Sequence, residues 1–253
     1  MRAAWYTIRE YSGAVPAEAV RGRSTEYFSA SPEGRREALH MKLAIGIDTG
    51  GTYTDAVLYD FETKKILGTA KALTTKNDLC VGIGNALDAL PNEHFREVRM
   101  LSLSTTLATN ACVEGKGGAA KLVFFNGDKD ILQKYGGEYG LPPVGEILVE
   151  PCRTDISGQI GEYPDWEKFE RDVRENCRNA DGIGVIELYS FKNGAVIERE
   201  AKERIAKIAD IPVTCGYELF REPNSLQRGA GTLLNAGLYP VIEDFLRAVR
   251  RAM

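Results

Sequence analysis

The rhythm of apolar and polar positions changes at Met41. Before it, residues 1–40 mix Arg, Glu, Ser, Ala and Pro without sustained periodicity. A stretch of that kind has little with which to build a packed core. One reading takes Met41 as the initiator and residues 1–40 as an extension that is not native; the other takes them as a disordered or loosely docked arm. From Leu43 onward, apolar runs of strand length alternate with segments of helical spacing. Leu43–Asp48 and Tyr53–Tyr59 predict two strands joined through Gly50-Gly51, and Ile66–Ala72 a third after the turn-like DFETKK. Leu79, Ile83, Ala86 and Leu90 recur on one side of a helix over 77–90. A short strand at Leu101–Leu103 leads into a helix over 105–114, and the apolar Ala119–Phe125 suits a strand covered on both faces.

The second half repeats the alternation less regularly. Residues 136–145 read as a loop and 147–163 as a hairpin. Asp165 is placed to cap a helix carrying Trp166, Phe169, Val173 and Cys177. Strands at 182–189 and 211–217 flank a helix with Ile197, Ala201, Ile205 and Ile208 on one face. Residues 226–249 are helical in pattern, with Pro240 opening a second segment. The whole predicts an α/β fold with a mixed sheet flanked by helices.

Composition narrows the function classes. A net charge of −4 leaves no basic footprint for nucleic acid. No apolar run approaches membrane-spanning length, and no signal-type stretch opens the chain, so a cytoplasmic protein without a membrane partner is expected. The five cysteines form no CxxC pair. With only two histidines, His40 and His94, a multi-histidine metal site or a Ser-His-Asp triad within the chain is disfavoured.

The stretch that carries chemistry is Gly46-Ile47-Asp48-Thr49-Gly50-Gly51-Thr52-Tyr53-Thr54-Asp55. A strand delivers Asp48 to its end, and Gly50 and Gly51 let backbone N–H groups approach an anion closely. Thr52 and Thr54 add hydroxyls on the returning strand. Asp48 would hold a magnesium ion, chiefly through water. Neither GxxxxGK[ST] nor a helix-opening GxGxxG is present. The competing reading is a tight hairpin whose Asp48 and Thr52 only satisfy turn hydrogen bonds. A second block, Ser104-Thr105-Thr106 with Asn110, lies where a strand gives way to a helix. That position suits an anion or a reacting carboxylate, or simply a Ser/Thr cap.

GIDTGGTYTDAVLYD resembles the first phosphate motif of the hydantoinase A/5-oxoprolinase family, within the actin-like ATPase superfamily. Thr54-Asp55 separates it from the sugar kinases of that superfamily. The stretch Ser104–Phe125, STTLATNACVEGKGGAAKLVFF, is similar to the family's segment of threonines, Asn and Glu before a strand. The stretch Val213–Leu246 resembles the junction into the family's second domain. The resemblance covers Leu43 to Leu246. This chain departs from the family in having Leu103-Ser104 before its threonine pair, where His-Gly is common. It also has Glu187 and Tyr189 in a strand that often carries a histidine.

The resemblance implies an actin-like (ribonuclease H-like) domain that binds ATP and Mg²⁺ and serves ATP-dependent opening of a cyclic amide, the small-molecule substrate, by phosphorylation of the amide oxygen. Asp48 would organise the metal, and Gly50, Gly51, Thr52 and Thr54 would hold phosphate. Asp55, Thr105, Thr106 and Asn110 would face the loop, substrate or phosphates. The alternatives are a small-molecule kinase of the superfamily and a non-catalytic ATP-binding module. The expected organisation is an extension at 1–40, a nucleotide-phosphate-binding domain at 41–217 and the helical start of a second domain at 218–253. Only one Gly-Gly-Thr-x-Thr-Asp segment occurs, so a second domain or subunit is expected to complete the cleft, with weak nucleotide binding and negligible turnover by this chain alone.

Overall fold

A computed structural model describes residues 6–8 and 42–253; the rest of the expected extension lies outside the described residues. Among these residues no helix is long and apolar enough to cross a membrane. The chain divides into two compact units, one running to Asn110 and including Asp244–Met253, the other Ala111–Glu243.

The first unit is a mixed five-stranded sheet. Its strands are β1 (Tyr6–Ile8), β2 (Leu43–Thr49), β3 (Tyr53–Asp60), β4 (Lys65–Leu73) and β5 (Val98–Thr105), ordered β1-β5-β2-β3-β4. Strands β2, β3 and β4 form an antiparallel meander, and β5 returns parallel to β2 after α1 (Leu79–Asp88). Alternation decides the faces. Leu43, Ile45, Ile47 and Thr49 of β2 are buried, whereas Asp48 is exposed. The buried set meets Leu58, Leu103, Ile83, Ala86 and Leu87, together with Phe245 and Val249. Each buried Leu, Ile, Val or Phe side chain of this set contributes ~1.5–3 kcal/mol by leaving water. Asp78 caps α1 by accepting from Cys80 N at 3.0 Å. Strand β5 is longer than the expected three residues. Its Ser102 and Ser104 interrupt the apolar run, but the ladder to β2 holds it extended through Thr105. The next helix, α2 (Leu107–Glu114), accordingly starts two residues later than expected.

The second unit carries a parallel sheet ordered β11-β10-β6-β7, built from β6 (Ala120–Phe125), β7 (Leu148–Glu150), β10 (Gly182–Glu187) and β11 (Val213–Cys215). Strands β8 (Arg153–Thr154) and β9 (Ile160–Glu162) form a separate antiparallel pair, so only the later part of the expected hairpin is one. Helices α3 (Lys129–Tyr135), α4 (Trp166–Asn176), α5 (Val196–Ile208), the short α6 (Gly216–Leu219) and α7 (Ser225–Ala252) complete the order. Leu122–Phe125 and the whole of β10 are buried, as parallel strands covered on both faces must be. Asp165 caps α4 as expected, accepting from Lys168 N at 2.9 Å.

Pro240 does not open a second segment; it lies inside α7. A proline there removes the hydrogen bond to the carbonyl four residues earlier, that of Ala236. That carbonyl faces Gly182, where a Cβ would come within 2.3 Å of it. The neighbouring Gly237 carbonyl accepts Gly118 N at 2.7 Å. Glycines at 118 and 182 therefore let two backbone segments close on the helix where its own ladder is broken.

Candidate functional site

The two motif blocks meet at one end of the β2–β5 strand pair. Thr49, the last residue of β2, pairs with Thr54 on β3 and Thr105 on β5. Its carbonyl accepts twice from the second block: from Thr105 Oγ1 at 2.8 Å and from Thr106 N at 3.3 Å. The Thr105 hydroxyl in turn accepts Leu107 N at 3.1 Å, which caps the start of α2. Thr105 is thus the joint between the loop and the helix, its hydroxyl engaged on both sides.

The loop itself is closed by Gly50 N donating to Tyr53 O, and by Thr74 N donating to Thr52 O, both at 2.9 Å. Among the described residues, the N–H groups of Gly51 and Thr52 donate to no protein group. Asn110 lies against this loop: a Cβ on Gly51 would stand 3.2 Å from Asn110 Nδ2. Glycine at 51 is what admits the amide. Asn110 N also bonds Thr106 O at 2.9 Å within the first turn of α2.

Cross-strand partners share a face, and the register sorts the site residues into two rows. Thr105, Thr49 and Thr54 form a row on the buried face. Thr54 Oγ1 pairs with Thr74 Oγ1 at 3.0 Å, and Thr49 Oγ1 is buried without a partner. Ser104, Asp48, Asp55 and Lys71 form the other row, one residue from each of β5, β2, β3 and β4. Asp48 is exposed and forms no hydrogen bond or ion pair with a described residue. Asp55 is bound by Lys71, whose Nζ is 2.9 Å from one carboxylate oxygen and 3.2 Å from the other.

Asp48, Gly51, Thr52, Thr106 and Asn110 therefore leave polar groups available at the loop, whereas the Gly50 N–H, Thr54, Thr105 and Asp55 are committed to holding it. Sequence reasoning did not single out Lys71, or Thr49 as the acceptor joining both blocks. No group of three or more Asp, Glu, His or Cys residues able to hold a metal occurs among the described residues. A Mg²⁺ ion suits this donor set nonetheless. It is ordinarily held by one or two carboxylates and otherwise by water and phosphate oxygens, and Asp48 is an exposed carboxylate without a partner among the described residues, a few positions before the unengaged N–H groups of Gly51 and Thr52.

Glu187 and Tyr189, the departures in β10 and just after it, belong to a buried network in the second unit. The Glu187 carboxylate accepts Tyr189 N and Asn193 Nδ2, both at 3.2 Å. Arg228 donates to the carbonyls of Glu187 and Leu188 and to Ser190 Oγ. Glu198 accepts the N–H groups of Glu187 and Tyr217, and burial pushes its carboxyl above the usual range despite those bonds and the nearby Arg228. The geometry gives Glu187 a structural use. A cavity of about 330 Å³ also lies within this unit, bounded by the Gly115–Gly118 segment, Lys121, Glu146 and Leu234.

Comparison with known proteins places these observations in a wider set. The family model for the hydantoinase/oxoprolinase N-terminal region matches residues 44–209. The chain is 26% identical over 231 residues to caprolactamase subunit alpha of Pseudomonas jessenii, an alignment covering 81% of this chain and 32% of that protein. Among solved structures, acetone carboxylase in its nucleotide-free form superposes with a TM-score of 0.61 at 20% identity, covering 83% of this chain and 35% of the other. The ATP-dependent caprolactamase of P. jessenii does so with a TM-score of 0.60 at 24% identity, covering 82% and 33%. The chain thus spans about a third of the length of the curated relatives it matches. At these identities the solved structures establish the α/β fold.

Proposed function

Because this chain belongs to the hydantoinase/oxoprolinase N-terminal region family, we propose that its first unit binds the phosphates of Mg-ATP for an enzyme that activates an amide or related carbonyl oxygen. The observation that carries this reading is the approach of Asn110 to Gly51, with Thr105 and Thr106 bonded to Thr49. It joins two sequence blocks at one loop and leaves N–H donors unengaged there. Bound Mg-ATP would supply a phosphoryl group to the substrate's carbonyl oxygen, making the carbon open to attack by water. The chain's part is positioning and charge, on which phosphoryl transfer chiefly depends.

The N–H groups of Gly51 and Thr52 would take phosphate oxygens. The Thr52 hydroxyl adds a further donor at the loop's exposed tip. Asp48 would hold the metal's water shell on its own face of the sheet. Thr106 and Asn110, at the first turn of α2, would meet the reacting end of the phosphate chain, where a helix N-terminus favours negative charge. Thr54 and Thr105 would act beneath, holding the loop's two flanks. The names of the relatives, an ATP-dependent caprolactamase and an ATP-dependent carboxylase, support a cyclic amide or carbonyl compound as the substrate class. They also support a larger assembly in which a further domain or subunit completes the site.

Calorimetric titration with Mg-ATP tests the reading. Magnesium-dependent binding by the wild type, lost in Asp48→Ala, is expected. Equal binding by both, or none by either, would remove the loop from the phosphate role.

A further inference from the structure

The row Ser104–Asp48–Asp55–Lys71 places two carboxylates directly opposite each other on adjacent strands, at the Asp48–Asp55 pair of the β2–β3 ladder. Like charges in that position repel, and their Cβ atoms stand only about 4.5–5.5 Å apart. Two free carboxylates so placed would form a ready seat for a bare divalent cation. Lys71 prevents this. Its ammonium spans both oxygens of Asp55, at 2.9 and 3.2 Å, and rests 5.0 Å from the centre of the Tyr53 ring. Within this row Asp48 keeps its charge uncompensated, having no partner among the described residues.

We propose that Lys71 is a positioning residue that sets the charge of the loop, neutralising Asp55 so that the site accepts a divalent ion as the metal–nucleotide complex rather than as the free metal. The inference rests on the phosphate-binding reading above. Its reasoning is electrostatic. With Lys71 in place the outward row carries one net negative charge beside the N–H donors, enough to attract a hydrated Mg²⁺ but not enough to repel the polyphosphate that accompanies it. Without Lys71 the row carries two negative charges, which attract a bare cation more strongly and repel phosphate. A lysine that served only to relieve strain in the sheet would have no such opposite effects on two ligands.

The experiment titrates the full chain by calorimetry at low salt with two probes, MnCl₂ alone and Mg-ATP. The variants are Lys71→Ala, Lys71→Arg, the double variant Lys71→Ala/Asp55→Asn, and Asp48→Ala. Lys71→Ala is expected to bind Mn²⁺ about tenfold more tightly and Mg-ATP about tenfold more weakly. Lys71→Arg should behave as wild type, and Asp55→Asn in the Lys71→Ala background should reverse both changes. Circular dichroism of each variant checks folding, and reversal in the double variant separates charge from misfolding. If Lys71→Ala leaves both affinities unchanged while Asp48→Ala abolishes Mg-ATP binding, the role of Lys71 is refuted and the phosphate loop stands. If Asp48→Ala leaves Mg-ATP binding intact, the phosphate-loop reading fails. If the wild type binds no Mg-ATP, that reading fails too, and unchanged Mn²⁺ affinity in Lys71→Ala then refutes the charge-setting role by itself.

Discussion

Replacing Thr105 by valine removes one hydroxyl while keeping the β-branched shape that its strand position favours. The hydroxyl makes two bonds, donating to the Thr49 carbonyl at 2.8 Å and accepting Leu107 N at 3.1 Å. Loss of a Ser/Thr group satisfying a helix-start N–H costs about 1 kcal/mol. Loss of the bond to the carbonyl adds roughly 0.5–1 kcal/mol, since Thr106 N at 3.3 Å still satisfies that oxygen. The expected destabilisation is ~1.5–2 kcal/mol, localised to the first unit. Amide hydrogen exchange reads it where a global melt would average over two units. Leu107 and the first turn of α2 should exchange about tenfold or more faster in Thr105→Val, while β6 and β10 are unchanged. Thr105→Ser, which keeps the hydroxyl, should restore most of the protection. If Thr105→Val exchanges like the wild type, Thr105 does not join the loop to the helix.

Further outcomes can be stated from single contacts. Gly182→Ala would place a Cβ 2.3 Å from the Ala236 carbonyl oxygen, backbone that cannot swing aside, and is expected to lower the stability of the second unit by about 1–3 kcal/mol in denaturant unfolding; wild-type stability would contradict the close approach. Glu150 is held above the usual glutamate range by burial, outweighing the nearby Lys168 ammonium. Its folded state therefore prefers the proton. Native stability from this group is full below the unfolded pKa and is lost as pH rises through the raised value. Glu150→Gln should flatten that decline, and an unchanged pH–stability curve would count against it. Cys112 is exposed, whereas Cys177 and Cys215 are buried with thiols pushed up, that of Cys177 to about 11. A thiol-specific reagent should label Cys112 in the folded chain and reach the other two only on unfolding.

Much of the fold was legible because each unit's strands obey one simple pattern. Apolar runs of strand length marked β2 and β3, and the almost wholly apolar Ala119–Phe125 marked β6 as a strand covered on both sides. The loop was legible because adjacent glycines at 50 and 51, set between two apolar runs of strand length, mark a tight turn. Lys71 was not, for a physical reason. Counting back from the β3–β4 turn would set Ala70 against Asp55, but a bulge at Leu58/Tyr59 shifts the register by one residue and brings Lys71 there instead. That bulge coincides with Gly68, where a Cβ would lie 2.4 Å from Pro91 Cδ, a contact invisible in the sequence. The commitment of the Thr105 hydroxyl was likewise hidden, since its acceptor lies 56 residues away on another strand. Pro240 misled because the glycines that accommodate it, Gly118 and Gly182, come from distant segments.

The pairing of β2 with β5 also bears on how the chain comes together in time. Strands β2, β3 and β4 can form as successive hairpins from local contacts. The Thr49 carbonyl, however, finds its partners only when the segment carrying Thr105 has been made and has closed back across α1. Non-local parallel pairing of this kind is intrinsically slow. As the chain emerges during synthesis, the glycine turn would take shape early, and its anchoring to Thr105, Thr106 and Asn110 would follow later. On the phosphate-binding proposal, competence to hold an anion would thus report the closing of β5 onto β2, ahead of the packing of Phe245 and Val249 that completes the first unit, and a folding assay that follows nucleotide-dependent fluorescence would register that closure rather than the formation of the hairpins.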